Sequence, residues 1–257
     1  LGLIRDLNII IARTTQVTGL AVILSLFFAR LKHDNASIQN RLGLIQQMTA
    51  LYFTGMLNNL SAYPRERDYF YEEFNDDVVD LNSFFFSYLT LEIPFEILSG
   101  FLYAIFMIFV IGFQMNAGLF FTIFYASLLI VNAGESLGIS FNTIFNHPGF
   151  ALVFISIFCS VGVCMAGLLA MTLDSFLKAM NYLSPLHYGV LIFANNVFTS
   201  SLTFNCSATE LSPDGSCLFT NGEQVKNAYH LAVDMTLYYI LFSIITVCHR
   251  VISWGFL

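Results

Sequence analysis

Residues 82–112 read NSFFFSYLTLEIPFEILSGFLYAIFMIFVIG, a run of apolar and aromatic side chains in which Glu92 and Glu96 carry the only charges. A helix needs about 20 mostly apolar residues to cross the hydrocarbon of a bilayer, and this run exceeds that. Asn82 and Ser83 are residues that cap a helix start, and Gly112 is a natural stop. At 1.5 Å per residue the helix is about 45 Å long, so part of it projects from the bilayer or tilts.

The rest of the chain agrees with a membrane setting. Of 257 residues, 57% are hydrophobic and 11% charged, and the mean hydropathy is +0.72. An average soluble domain carries about 25% charged residues, so an ordinary water-soluble globule is excluded. With 28 Phe and 12 Tyr the chain also lacks the low hydrophobicity of a disordered segment. A formal charge of −7 with no basic run gives no reason to expect nucleic acid as a partner. The start, Leu1 to Asp6, shows neither an initiator Met nor a secretory cleavage pattern, and reads as the edge of a fragment from a longer protein.

Working outward from 82–112, hydrophobic runs predict an all-α, polytopic fold with six transmembrane helices. The first runs from about Leu7 to Ala29, the second from Arg41 to Leu60 and the third is the run already quoted. The fourth extends from Ala117 to about Phe141, the fifth from Gly149 to about Leu173 and the sixth from Asn227 to Arg250. Residues 174–198, broken by Pro185, are too polar for a clean span and too apolar for a loop. They predict a re-entrant or interfacial external segment between helices five and six. Lys and Arg divide evenly between the two faces, so they do not orient the chain. The sequons at Asn35 and Asn205 fall on one face, in company with Cys206 and Cys217, and that face is read as external or lumenal. A third sequon, at Asn59, falls on the other side. Cys206 and Cys217 are expected to pair within the loop, with an intersubunit bond or free thiols as the alternatives.

Ionisable groups inside spans each require an account, because burying one at the bilayer centre costs about 2.5 to 3.5 kcal/mol on insertion scales. Glu92 and Glu96 are one turn apart, and Glu135 lies in the fourth span with Asp234 in the sixth. They serve either as a structural ion pair or as a polar relay. The five histidines lack ligand spacing, so no metal is expected. Between the second and third spans lies PRERDYFYEEFNDDVVD, residues 64–80. A helix started by Pro64 places Phe70, Phe74 and Val78 on one apolar face, with acidic residues elsewhere. On its own this is a connector lying on the membrane surface.

The order and spacing of several short motifs resemble the membrane domain of G-subfamily (White-type) ABC transporters over nearly the whole chain. They are Ile38-Gln39-Asn40-Arg41, Arg65-Glu66-Arg67 with Tyr71, Glu92-Ile93-Pro94, Ala166-Gly167-Leu168-Leu169, Ser184-Pro185 with Tyr188, and Cys206, Cys217 and Gly222. The resemblance implies a single ABC-2 type transmembrane domain over residues 1–257, whose partners are membrane lipid, a nucleotide-binding domain of the same polypeptide and a second equivalent transmembrane domain. That second domain makes a homodimer, a heterodimer or the other half of a full transporter. ATP and Mg belong to the parent transporter, an ATP-hydrolysing translocase, since no G-x-x-x-x-G-K-[ST] loop occurs here and this chain has no catalytic site. The resemblance makes the 64–80 helix a coupling helix, with Arg65, Glu66 and Arg67 as its hinge and Phe70, Tyr71 and Phe74 on it. It also assigns the second and fifth spans to a central cavity. Gln47, Leu51 and Thr54 share a face in one, and Ser160, Val163, Cys164 and Gly167 form a small-residue stripe in the other, which packing alone also explains. Leu168 and Leu169 align with leucines that close the cavity in some relatives. A cavity of this kind suits a lipid, sterol or drug. The alternatives are an energy-independent channel or receptor, or an intramembrane enzyme, for which no nucleophile or metal set is visible. The membrane is the plasma membrane or an internal one such as the vacuole.

Overall fold

The computed structural model describes residues 7–145, 147–166, 168, 174–205 and 217–257. They form α1 (Leu7–Phe28), α2 (Ala36–Gln46), α3 (Met48–Asn75) and α4 (Leu81–Ile105), which continues as a π-helical turn (Phe106–Ile111). After these come α5 (Ala117–Ile144), α6 (Pro148–Met165), α7 (Ser175–Asn181), α8 (Pro185–Val197), α9 (Gly222–Ala228) and α10 (Met235–Phe256). Among the described residues, extended pairing is confined to two isolated bridges, Asp34 with Asn205 and Thr203 with Asn221. The fold is all-helical.

Among the described residues, five helices are long and apolar enough to cross a membrane: Ile11–Phe28, Leu81–Ile111, Ala117–Ile144, Pro148–Met165 and Met235–Phe256. The chain is an integral, multi-pass membrane protein. The expected second span differs in two ways. It is broken at Gln47 into α2 and α3, and α3 lacks the apolar composition because it spends Asn58 and Asn59 on the protein interior and then runs on into the charged 64–75 segment.

The run 82–112 folds much as its composition dictates. Gly112 ends it at φ +86°, a left-handed conformation that a side chain disfavours. The helix begins two or three residues earlier than expected, with Asp80 rather than Asn82 or Ser83 at the N-cap; the Ser83 hydroxyl bonds the Asp80 carboxylate, and Asn82 instead accepts from the Trp254 indole at 3.1 Å. Asp234 is corrected in the same sense. It sits outside the last span, capping α10 by accepting from the Thr236 and Leu237 N–H groups.

Helices α3 and α5 run parallel and touch backbone to backbone. A Cβ built on Gly55 overlaps the Val131 carbonyl oxygen, one on Gly134 overlaps that of Tyr52, and one on Gly138 comes within 2.8 Å of that of Met56. Gly134 and Gly138 are one turn apart, the small-x-x-x-small spacing that lets membrane helices approach closely. Helix α8 is 13 residues, about 20 Å long and too short to cross, and is buried almost end to end against α5 and α10. Helix α7 before it is largely exposed.

The loops at one end of the bundle interlock. The Leu31 N–H donates to the Ile111 carbonyl at 2.9 Å and the Asn205 N–H to the His33 carbonyl at 2.6 Å. This brings the sequons at Asn35 and Asn205 to the same end. The opposite end gathers the last turns of α3, α5 and α10 and the first turn of α4, as the Trp254–Asn82 and Tyr63–Thr143 hydrogen bonds record.

Candidate functional site

Between α1, α3, α4, α5 and α10 lies a buried polar cluster. Its three carboxylates, Glu92, Glu96 and Glu135, each present an oxygen within 4.8 Å of the others. Glu92 and Glu96 share the inward face of α4 because they are one turn apart. Arg13 of α1 bonds Glu92 Oε1 at 3.0 Å, the Tyr88 hydroxyl at 2.9 Å and Asn59 Oδ1 at 3.2 Å. From α10, Arg250 reaches Glu96 Oε1 at 3.1 Å, Glu135 Oε2 at 3.3 Å, Glu92 Oε2 at 3.5 Å and Asn132 Oδ1 at 3.0 Å. Asn132 donates to both Glu96 oxygens, and Asn58 to Glu135 Oε1 at 3.2 Å. Asn59 donates to the Glu135 carbonyl at 3.0 Å.

Three carboxylates this close form a ligand set for a hard cation in isolation. Here two guanidiniums take the same oxygens, so the arrangement acts as an ion-pair network joining five helices. The sequence pointed to the carboxylates and left their partners unnamed. Arg13 lies in the first turns of the first predicted span and Arg250 at the end of the last, yet both are buried. Asn59 is fully buried within the same network, which removes its sequon from reach of modification.

The far end of α3 departs from a separate coupling helix started by Pro64 and hinged at Arg65, Glu66 and Arg67. One helix runs unbroken from Met48 to Asn75 with Pro64 inside it. Proline removes one backbone hydrogen bond and normally kinks or breaks a helix. Side chains on either side of Pro64 hold this stretch in place: the Tyr63 hydroxyl bonds Thr143 at 3.0 Å, and the Arg67 guanidinium donates to the Asn142 carbonyl. Arg67 also pairs with Asp68 at 2.8 Å, and is therefore buried rather than free at a hinge. Arg65 is exposed and Glu66 half-buried. Phe70 is buried and stacks on Phe84 with ring centroids 4.3 Å apart, while Phe74 and Tyr71 are partly exposed. Val78 leaves the expected apolar face, because the helix ends at Asn75 and the chain turns through Asp77 at φ +55°. Between this end of α3 and the base of α4 lies a groove of about 540 Å³ bordered by Glu66, Tyr69, Phe70, Glu73 and Phe84.

Near the other end, a groove of about 420 Å³ is lined by Phe53 of α3 and by Ser156, Cys159, Ser160, Val163 and Cys164 of α6. Ser160, Val163 and Cys164 of the small-residue stripe thus border a groove between α6 and α3. Gln47 is exposed at the α2–α3 break and Thr54 is half-buried, but Leu51 is fully buried in the core and does not line the groove. The Gln46 amide donates to the Val163 carbonyl at 2.9 Å and ties the two walls together. Leu168 is half-buried against the core. Leu169, Gly167 and Cys206 lie outside the described residues.

Residues 1–198 match the family model for ABC-2 type transporters. An uncharacterized ABC transporter ATP-binding protein/permease of Saccharomyces cerevisiae is 43% identical over 250 residues, 97% of this chain and 19% of that protein. ABC transporter G family member 2 of Dictyostelium discoideum is 26% identical over 265 residues, 90% of this chain and again 19% of its own length. The chain spans about a fifth of the curated relatives it matches. The buried ion-pair network, the apolar crossing helices and these matches have one reading: the chain belongs to the ABC-2 type transporter family, as a membrane domain.

Proposed function

We propose that this domain is the membrane part of an ATP-driven transporter that exports or flips a hydrophobic substrate, a lipid, sterol or drug, with α2–α3 as a sixth crossing and 174–198 as its external segment. A nucleotide-binding domain of the same polypeptide supplies ATP hydrolysis, and a second equivalent domain closes the substrate path against the α3–α6 groove. The observation that carries this reading is the continuity of α3. Its first turns, with Phe53, border the groove, and its last turns, with Phe70, Tyr71 and Phe74, project at the opposite end. A single helix locked to α5 transmits a push at one end as a displacement at the other, whereas a hinge at Arg65, Glu66 and Arg67 would absorb it.

Phe74→Ala and Glu66→Ala in the intact transporter are therefore expected to lower substrate-stimulated ATP hydrolysis severalfold while leaving membrane insertion unchanged. Stimulation equal to wild type in both variants removes the coupling role from this end of α3.

The interlocked loops carry a second expectation. We place them on the external or lumenal side, with Asn35 and Asn205 glycosylated and Cys206 bonded to Cys217. Mass spectrometry of unreduced peptides is expected to show the intrachain link, glycan at Asn205 and none at Asn59. Alkylation of both cysteines without prior reduction would overturn the placement.

A further inference from the structure

The charges of the buried cluster do not balance. Glu92, Glu96 and Glu135 face two guanidiniums, Arg13 and Arg250, and among the described residues no other charged side chain forms an ion pair with them. With all five ionised, the cluster is left with one uncompensated negative charge in the membrane-spanning part of the protein, where an unpaired charge is strongly unfavourable. The shortage is local. Glu92 is held by both arginines, at 3.0 and 3.5 Å. Glu96 and Glu135 both depend on one nitrogen of Arg250, Nη2, at 3.1 and 3.3 Å. Two carboxylates sharing one cationic group repel each other, and such pairs bind a proton in common.

A second feature points to the same place. A cavity of about 10 Å³, the size needed for one water molecule, is bordered by Arg13, Asn58, Glu92, Glu96 and Glu135. Asn58 Oδ1, on a side chain that is 5% exposed, has no hydrogen-bond donor and Arg13 Nε has no acceptor, while Glu92 Oε2 has only its ion pair with Arg250 Nη1 at 3.5 Å and no hydrogen bond. Donors and acceptors together suit water, which does both, and the adjoining guanidiniums repel a metal ion.

We propose that this cluster is a proton-binding site: the Glu135 carboxyl and its neighbours hold one proton in common, exchanged with bulk water through a single water molecule held at Asn58 and Glu92. Uptake takes the cluster from one net negative charge to none, and no other bond forms or breaks. The groups facing the pair are Arg13 of α1, Asn58 and Asn59 of α3, Tyr88 and Glu92 of α4, Asn132 of α5 and Arg250 of α10. A charge change there acts on five helices at once.

Infrared difference spectroscopy of the full-length transporter in lipid nanodiscs, between mildly acidic and alkaline pH, tests this. The wild type is expected to show the carbonyl band of a buried protonated carboxyl, shifted in heavy water, and to lose it on alkalinisation. The band disappears in Glu135→Gln and in Glu96→Gln, each of which mimics the neutral carboxyl, and persists in Asp234→Asn. Should a glutamine variant fail to fold, Glu135→Asp keeps a carboxyl and must move the band. Absence of the band in the wild type, its persistence in both glutamine variants, an unmoved band in Glu135→Asp, or a melting temperature that responds to sodium or calcium at fixed pH in place of protons would overturn the proposal.

Discussion

Gly134→Ala is expected to abolish most of the folded, extractable protein, a large effect for one added methyl group. The Cβ has no room because it meets the backbone oxygen of Tyr52 and not the movable end of a side chain. Gly55, facing the other way, meets the backbone oxygen of Val131. Overpacking usually costs about 1 to 3 kcal/mol when side chains can shift, and here only separation of α3 from α5 relieves it, so the cost sits at or above the top of that range. Separation carries a second cost. It lengthens the bonds from Asn58 and Asn59 to Glu135, at 3.2 and 3.0 Å, and leaves a carboxylate less well held. Gly55→Ala should behave the same way, whereas Gly19→Ala and Gly255→Ala, whose Cβ atoms meet nothing within 4 Å, should be close to neutral. Fluorescence-detected size exclusion of detergent extracts separates the two classes. Wild-type yield and melting for Gly134→Ala would mean that the α3–α5 contact is looser than the backbone positions indicate.

The features legible in the sequence are those with a one-dimensional signal. The span 82–112 shows as a run of apolar residues and its end as a glycine. Helix α3 was harder to read, because its two halves have different surroundings. Asn58 and Asn59 look like polar punctuation at the end of a span, and Pro64 looks like a new start, until α5 is placed beside them with Tyr63 and Arg67 bonded to its last turns. The same limit explains the missing partners of the carboxylates. Arg13, Glu92, Glu135 and Arg250 lie on four helices, and their residue types carry no mark of which faces which. The stretch Gly134-Glu135-Ser136-Leu137-Gly138 carries a signal of its own: it has the glycine spacing of close helix packing and holds Glu135 between its glycines, which predicts both a tight crossing and a buried carboxylate.

Arg250→Met is expected to be the most damaging change of a single charge. Arg250 serves Glu92, Glu96, Glu135 and Asn132 from one guanidinium, and its removal leaves the carboxylates of Glu96 and Glu135 with no cationic partner within 4 Å among the described residues. Replacing a whole buried ion pair by apolar groups is often tolerated, but deleting one member typically costs about 3 to 5 kcal/mol, because the other charge stays buried. With two carboxylates stranded, the upper end applies. Arg250→Lys should recover only part of the loss, since an ammonium is a point donor and does not reproduce the fork that spans Glu96 Oε1, Glu135 Oε2 and Asn132 Oδ1. The decisive comparison is Arg250→Met alone against Arg250→Met with Glu135→Gln. If the damage arises from stranded charge, neutralising Glu135 should return more than about 1 kcal/mol in a double-mutant cycle, within the range found for residues of one network. If the two changes add, Arg250 acts through packing of its alkyl stem and the network is not what holds α10 to the bundle.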